Sequence, residues 1–211
     1  MIKIFVSSTF SDMQSERDII QTKVLPRLKR DLLPQGIDVQ FVDLRWGISN
    51  ESIEKEDVME KILNICVEEI ETCKPFFVLL LGNRYGTIPN PAIVDSFLKK
   101  HKDISPEQIT DKSITEIEYL CSEINNKVPT QYCICLRDDA FVSDVPDSIK
   151  PIYIDKDIQK IKEFKKKVKD TYPDSVINYS PKWSKKSNSL TELNALGQFL
   201  LRLMLLCLSH Y

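Results

Sequence analysis

Short apolar blocks alternate along the chain with longer stretches of helical spacing. Residues 2–7 (IKIFVS) form an apolar run closed by polar residues, the signature of a buried first strand. Ser11 or Asp12 then caps a helix reaching about residue 30, with Ile19, Ile20, Val24 and Leu28 on its buried face. Gly36 precedes a second strand over 39–42. A helix over 55–72 follows, with Val58, Ile62, Ile65, Cys66 and Ile70 on one side. Pro75 opens the most apolar strand, FFVLLL, and Gly82 closes it. The connection 87–112 is rich in Pro, Asp and Lys, with a short helix over 93–99, and reads as a lid or an insertion. Beyond it the pattern predicts a helix over 113–125, a strand over 131–136 (QYCICL) and a lysine-rich helix over 158–171. A weak fifth strand over 175–179 and a final helix over 190–208 complete the order. The run KEFKKKVK in the lysine-rich helix reads as a solvated face.

Strands that are apolar throughout tolerate water on neither face, so the alternation predicts a parallel sheet with helices on both sides. Five such strands suggest the order 2-1-3-4-5. The chain has 211 residues, enough for one α/β domain with its own core. The last helix, FLLRLMLLCL, is too short and too broken by Arg202 to cross a bilayer. It reads as a core helix; the alternative is that its apolar end is where a larger protein was cut.

Composition narrows the chemistry. With 29 basic and 31 acidic residues the net charge is −2, and no basic stripe points to nucleic acid. Two histidines, His101 and His210, leave a Ser-His-Asp triad or a His-rich metal site little to work with, so no metal is expected. Five glycines form neither G-x-G-x-x-G nor the P-loop pattern. The six cysteines contain no C-x-x-C pair, and most lie in apolar runs as small buried hydrophobes. With no leader-like start, a reducing cytoplasm is the expected location.

In open parallel sheets, ligands bind beyond the carboxyl ends of the strands where strand order reverses, here between strands one and three. Strand one ends in Ser7, Ser8, Thr9 and Phe10. Strand two ends in Asp43, Arg45 and Trp46, and strand three in Asn83, Arg84 and Tyr85 between Gly82 and Gly86. Guanidinium forks match phosphate oxygens and aromatic rings stack on bases, so this rim suits a nucleotide. Local roles compete with that reading: the arginines can pair with nearby carboxylates, and the glycines can serve tight turns.

The helix beginning SITEIEY adds two carboxylates. Ile114, Ile117, Cys121 and Ile124 mark its inward face, so Glu116 and Glu118 flank that stripe, about 200° apart at ~100° per residue. One of them at most faces a given cleft. Ser113 with Glu116, and Thr115 with Glu118, also each spell a capping box.

The strings IFVSSTFSDMQSERD, VDLRWGIS, LLLGNRYG and SITEIEY resemble the TIR-like domain of unknown function found at the N-terminus of NACHT and related STAND ATPases. That group includes telomerase-associated and nephrocystin-type proteins and bacterial anti-phage proteins. The resemblance covers about residues 2–120 and implies a flavodoxin-like fold for one effector domain spanning 1–211. It also implies self-association, C-terminal ATPase or sensor domains as partners, and cleavage of NAD as substrate with no added cofactor. In enzymatic TIR domains a glutamate on the helix after the third strand steadies the ribosyl cation. By phase Glu116 fits that role better than Glu118, and both remain candidates. The chain departs from TIR domains in lacking a Trp-Cys pair ahead of the glutamate and in carrying the 87–112 segment. The alternatives are a non-catalytic interaction module and another nucleoside N-glycosidase.

Overall fold

The computed structural model describes residues 1–44, 56–124 and 129–208. Its centre is a sheet of five parallel strands: β1 (Ile2–Ser8), β2 (Val39–Val42), β3 (Phe76–Leu81), β4 (Gln131–Arg137) and β5 (Val176–Tyr179). The spatial order is β2-β1-β3-β4-β5, as the alternation predicts.

Because successive side chains in a strand point to opposite faces, each strand feeds two cores. Phe5, Phe77, Leu79, Leu81, Ile134 and Leu136 share one core with α3 (Glu56–Cys73), α4 (Pro91–Lys100), α6 (Ile114–Glu123) and α8 (Gln159–Thr171). Ile4, Val6, Phe41, Val78, Leu80 and Cys135 share the other with α1 (Gln14–Ile19), α2 (Leu25–Leu32) and α9 (Asn194–Leu208). All six residues of β3 are buried. Each large apolar side chain so buried contributes about 1.5–3 kcal/mol, which explains why this strand can sit at the centre.

Two local features have readable causes. Between α1 and α2 the helix widens into a π segment, Ile20–Val24. Pro26 has no amide hydrogen to give the preceding turn, so the hydrogen-bond ladder must shift there. Gly36 ends the following 3-10 turn at φ 80°, a left-handed conformation that favours glycine.

The structure refines several expectations. The 87–112 connection is a packed insertion: Asn90 caps α4, a turn of helix α5 (Pro106–Ile109) follows, and Ile93, Val94, Phe97, Ile104 and Ile109 enter the first core. The last helix starts at Asn194, four residues later than its apolar periodicity predicts. Residues just ahead of it form an antiparallel hairpin, β6 (Lys182–Ser184) with β7 (Ser189–Thr191). Trp183 and Leu190 from that hairpin join Phe141 and Val145 in a small third cluster over the end of β4. Between β4 and α8 lie a 3-10 turn, Ala140–Asp144, and one α-helical turn, α7 (Lys150–Tyr153). Among the described residues no helix is long and apolar enough to cross a membrane.

Phe97 is fully buried although it belongs to the inserted segment. Phe97→Ala is expected to lower stability by about 3–5 kcal/mol in urea unfolding. A loss below about 1 kcal/mol would mean that α4 is a loosely docked lid.

Candidate functional site

The carboxyl ends of β1, β3 and β4 carry several polar clusters. Strand periodicity decides which residue joins which. Ser7 lies on the same face as Phe5, and Ser8 on the same face as Val6, so adjacent serines look into opposite cores.

On the α1 side, Arg17 gathers the tip of β1. Its Nη1 donates to Ser8 Oγ at 3.3 Å and to the Thr9 carbonyl, and its Nη2 donates to the Phe10 carbonyl. Nε lies 3.5 Å from Asp43 Oδ2, and the guanidinium sits 5.2 Å from the Phe10 ring centroid. Thus Ser8, Thr9, Phe10 and Asp43 do come together, around an arginine absent from the expected site. Its signal was present: Arg17 falls at i, i+3, i+7 with Ile20 and Val24, inside the apolar stripe of the helix.

Thr9 Oγ1 donates to Asp12 Oδ1 at 2.5 Å, linking this cluster to a second. There Arg137, the last residue of β4, is wholly buried. Its Nη2 meets Asp12 Oδ2 at 2.5 Å. Its Nη1 meets Glu16 Oε1 at 2.8 Å and the Asp12 carbonyl at 2.6 Å. Tyr179 OH donates to Glu16 Oε1 at 3.0 Å. The rings of Phe141 and Tyr153 lie 5.3 and 5.7 Å from the guanidinium carbon, covering the charge where hydrogen bonds do not reach. Burial alone would lower the Arg137 pKa, but the Glu16 and Asp12 carboxylates outweigh it and hold the proton more tightly than usual. Gly82 is required here for space, not for a turn. A Cβ at that position would lie 2.6 Å from Asp12 Oδ2 and 2.8 Å from Met13 Cε, and closer still to Arg137. Gly86, at φ 91°, is the residue whose backbone conformation itself favours glycine.

The two candidate glutamates diverge. Glu118 is 1% exposed and points between β1 and α3, accepting from Ser7 Oγ at 2.5 Å and from Cys66 Sγ at 3.0 Å. Glu116 accepts from Tyr85 OH at 2.5 Å and pairs with Lys112 Nζ at 3.2 Å. It borders a hollow of about 430 Å³ shared with Tyr85, Lys112, Lys160, Glu163 and Lys167, on the α8 side of its helix. Burial, reinforced by the Glu116 charge, pushes the Tyr85 phenol well above its ordinary pKa. The Ser113 hydroxyl does cap the helix by accepting from the Glu116 amide at 3.3 Å. The carboxylates themselves reach across to other elements.

The remaining rim residues tie β3 to the segment after β4. Arg84 Nε lies 3.2 Å from Asp155 Oδ1, and the Tyr85 amide donates to Asp155 Oδ2 at 2.7 Å. Asn83 accepts from Lys165 Nζ at 3.0 Å and donates to the Asp138 carbonyl. Arg45 and Trp46 lie outside the described residues. The structure therefore joins Ser7 to Glu118, gathers Ser8, Thr9, Phe10 and Asp43 around Arg17, and sends Asn83, Arg84, Tyr85 and Glu116 toward α8 and its flanks. Among the described residues no group of three or more His, Cys, Asp or Glu could hold a metal ion.

Comparison with known proteins adds a family. The family described as a domain of unknown function (DUF4062) matches residues 3–193. Telomerase protein component 1 of Mus musculus is 33% identical over 188 residues, covering 86% of this chain and 7% of that protein. A TPR repeat-containing protein of Dictyostelium discoideum is 35% identical over 127 residues, 56% of this chain and 7% of the relative. NACHT and WD repeat domain-containing protein 2 of Homo sapiens is 28% identical over 136 residues, 62% of this chain and 8% of the relative. The chain thus spans less than a tenth of the length of these curated relatives. No solved structure matches it.

Removing Arg137 strands Asp12 and Glu16 in the interior. Arg137→Met is expected to cost about 3–5 kcal/mol in urea unfolding, because an uncompensated buried charge remains. Adding Asp12→Asn and Glu16→Gln to that variant should recover part of the loss. No recovery would show that packing against Phe141 and Tyr153, rather than charge, is what Arg137 supplies.

Proposed function

The chain belongs to the DUF4062 family, which is associated with NACHT proteins, and on that premise we propose that it is an effector domain that cleaves NAD when an attached ATPase assembles it. The observation that carries this reading is the Glu118 carboxylate, shielded from water at the carboxyl end of β1 and oriented by the Ser7 hydroxyl at 2.5 Å. It lies on the side of the β1/β3 switch point, where ligands of open parallel sheets bind.

The chemistry asks little of a protein. The bond between ribose C1′ and the nicotinamide nitrogen breaks with its electron pair moving to the positively charged ring, so nicotinamide leaves neutral and needs no acid. The ribosyl group left behind carries oxocarbenium character, and water then adds to C1′ and gives up a proton to the solvent. A carboxylate held in a low-dielectric site stabilises that developing charge, and pre-orientation by Ser7 spares reorganisation during the step. In this scheme a ribose hydroxyl replaces Cys66 as a donor to Glu118, because a thiol is the weaker hydrogen-bond donor. The phase of the helix favours Glu116. Its place beside the tip of β1 favours Glu118, since Glu116 lies with Tyr85 and Lys112 on the flank of α8.

A second reading, a self-associating interaction module without chemistry, has its own support. Arg17 occupies the ground between Ser8, Phe10 and Asp43 that a phosphate group would need, and Arg137 fills the corresponding space at β4.

The assay is nicotinamide release by the assembled full-length protein. Glu118→Gln is expected to reduce turnover by about 10²–10³, the loss of several kcal/mol of electrostatic stabilisation, while Glu116→Gln retains most of it. Turnover that is equal in wild type and both variants removes the catalytic role of the glutamates. An assembled wild-type protein that releases no nicotinamide leaves the interaction module as the function.

A further inference from the structure

Helix α8 carries lysines at 162, 165, 166 and 169, the i, i+3, i+4, i+7 spacing that stacks side chains on one face. Like charges at those spacings repel and weaken a helix, so the stripe works against the element that bears it. Lys162, Lys166 and Lys169 are exposed, as a solvated face requires, and Lys165 is half-buried. The four lysines border a hollow of about 380 Å³ over the carboxyl ends of β3, β4 and β5, together with Asn83 and Asn178. Leu136 and Ile161 contribute apolar lining.

The lining carries four lysines and Arg137 against two aspartates, Asp138 and Asp139. Lys166 pairs with the exposed Asp170 of its own helix. Lys162 and Lys169 have no ion-pair partner among the described residues. Both rim aspartates, Asp138 and Asp139, keep their charge and oppose the lysines, and Asp138 also accepts from the Ser180 hydroxyl and, at 3.1 Å, from the Ala140 amide. Lys165 is half-buried, with Nζ donating to the Arg137 carbonyl at 2.6 Å and to Asn83 Oδ1 at 3.0 Å, so both of those partners are neutral acceptors.

We propose that this hollow binds a polyphosphate chain, free or as part of a nucleoside di- or triphosphate, with Lys162, Lys165, Lys166 and Lys169 as its cationic contacts. A space of this size is within the range of small-molecule sites, and several ammonium groups converging on one hollow suit an anion with several charged oxygens. The asparagine amides supply neutral donors, and the apolar lining lowers the local dielectric and strengthens each contact. Lys165 gives a separate reporter. Burial first, and then the Arg137 charge, pull its pKa down to about 8, with Asp139, Asp138 and Asp12 opposing. A bound polyanion raises it again, so binding near pH 8 takes up protons. The proposal does not depend on Glu118, and the nicotinamide assay and phosphate binding can fail separately.

The test is calorimetric titration of the 211-residue chain with inorganic tripolyphosphate and with ATP, at two salt concentrations and in buffers of different ionisation enthalpy. Wild type is expected to bind both, more weakly at high salt, with net proton uptake at pH 8. Lys162→Gln with Lys169→Gln should weaken binding by about tenfold or more, and Lys165→Met should remove the proton uptake. Equal affinity for the two probes assigns recognition to the phosphate chain, and tighter ATP binding adds the nucleoside to it; both support the site. Lys185→Gln with Lys186→Gln, in the exposed turn of the β6–β7 hairpin, should bind as wild type does. The proposal is overturned if wild type binds neither probe, if the Lys162/Lys169 pair is dispensable, or if the hairpin variant weakens binding equally. Circular dichroism of each variant confirms that α8 is intact.

Discussion

The carboxyl end of the sheet is organised by one buried charge, the Arg137 guanidinium. It reaches from the last residue of β4 to Asp12 in the loop after β1, to Glu16 on α1 and, through Glu16, to Tyr179 at the end of β5. Gly82, just beyond β3, lies so close that any side chain would displace it. Four of the five strand ends are thereby referred to one group. Such a cluster adds little net stability over an apolar filling, since desolvation offsets the attraction between the charges. What it imposes is geometry, because every polar atom placed there without a partner carries a cost.

A second constraint is the period of two along a strand. Ser7 and Ser8 are neighbours in sequence, yet Ser7 turns to Glu118 and Cys66 while Ser8 turns to Arg17. The sheet itself lies between them. The same logic separates the glutamates of α6: Glu118 looks toward β1 and Glu116 toward α8, with Ile117 in the core between them. Residues that read as one rim are thus divided by the sheet and by the helix into distinct environments. The chemistry proposed at Glu118 and the anion binding proposed at the α8 lysines therefore rest on separate environments of one domain.

The lysine-rich helix shows how context changes the meaning of a pattern. Ile161, Phe164 and Val168 fix which side of α8 enters the core, and that choice turns four lysines toward the strand ends. Read alone, the run KEFKKKVK is a solvated face. Beside Asn83 and the end of β4, the same lysines line a hollow.

The sequence by itself determined the sheet. Apolar runs such as FFVLLL and QYCICL are stable only when buried on both faces, and their alternation with helical spacing leaves the 2-1-3-4-5 order as the economical arrangement. The β6–β7 hairpin was not legible, because three-residue strands carry too little periodicity to stand out from loop. The polar partnerships were decided only by tertiary structure. Arg17 and Arg137 sit at the ends or within apolar patterns where a sequence marks them as anomalies but names no partner. Their carboxylates come from 121 to 125 residues away for Arg137 and from the next strand for Arg17. Periodicity specifies which face a side chain takes; the opposing charge it meets there depends on how separate elements dock.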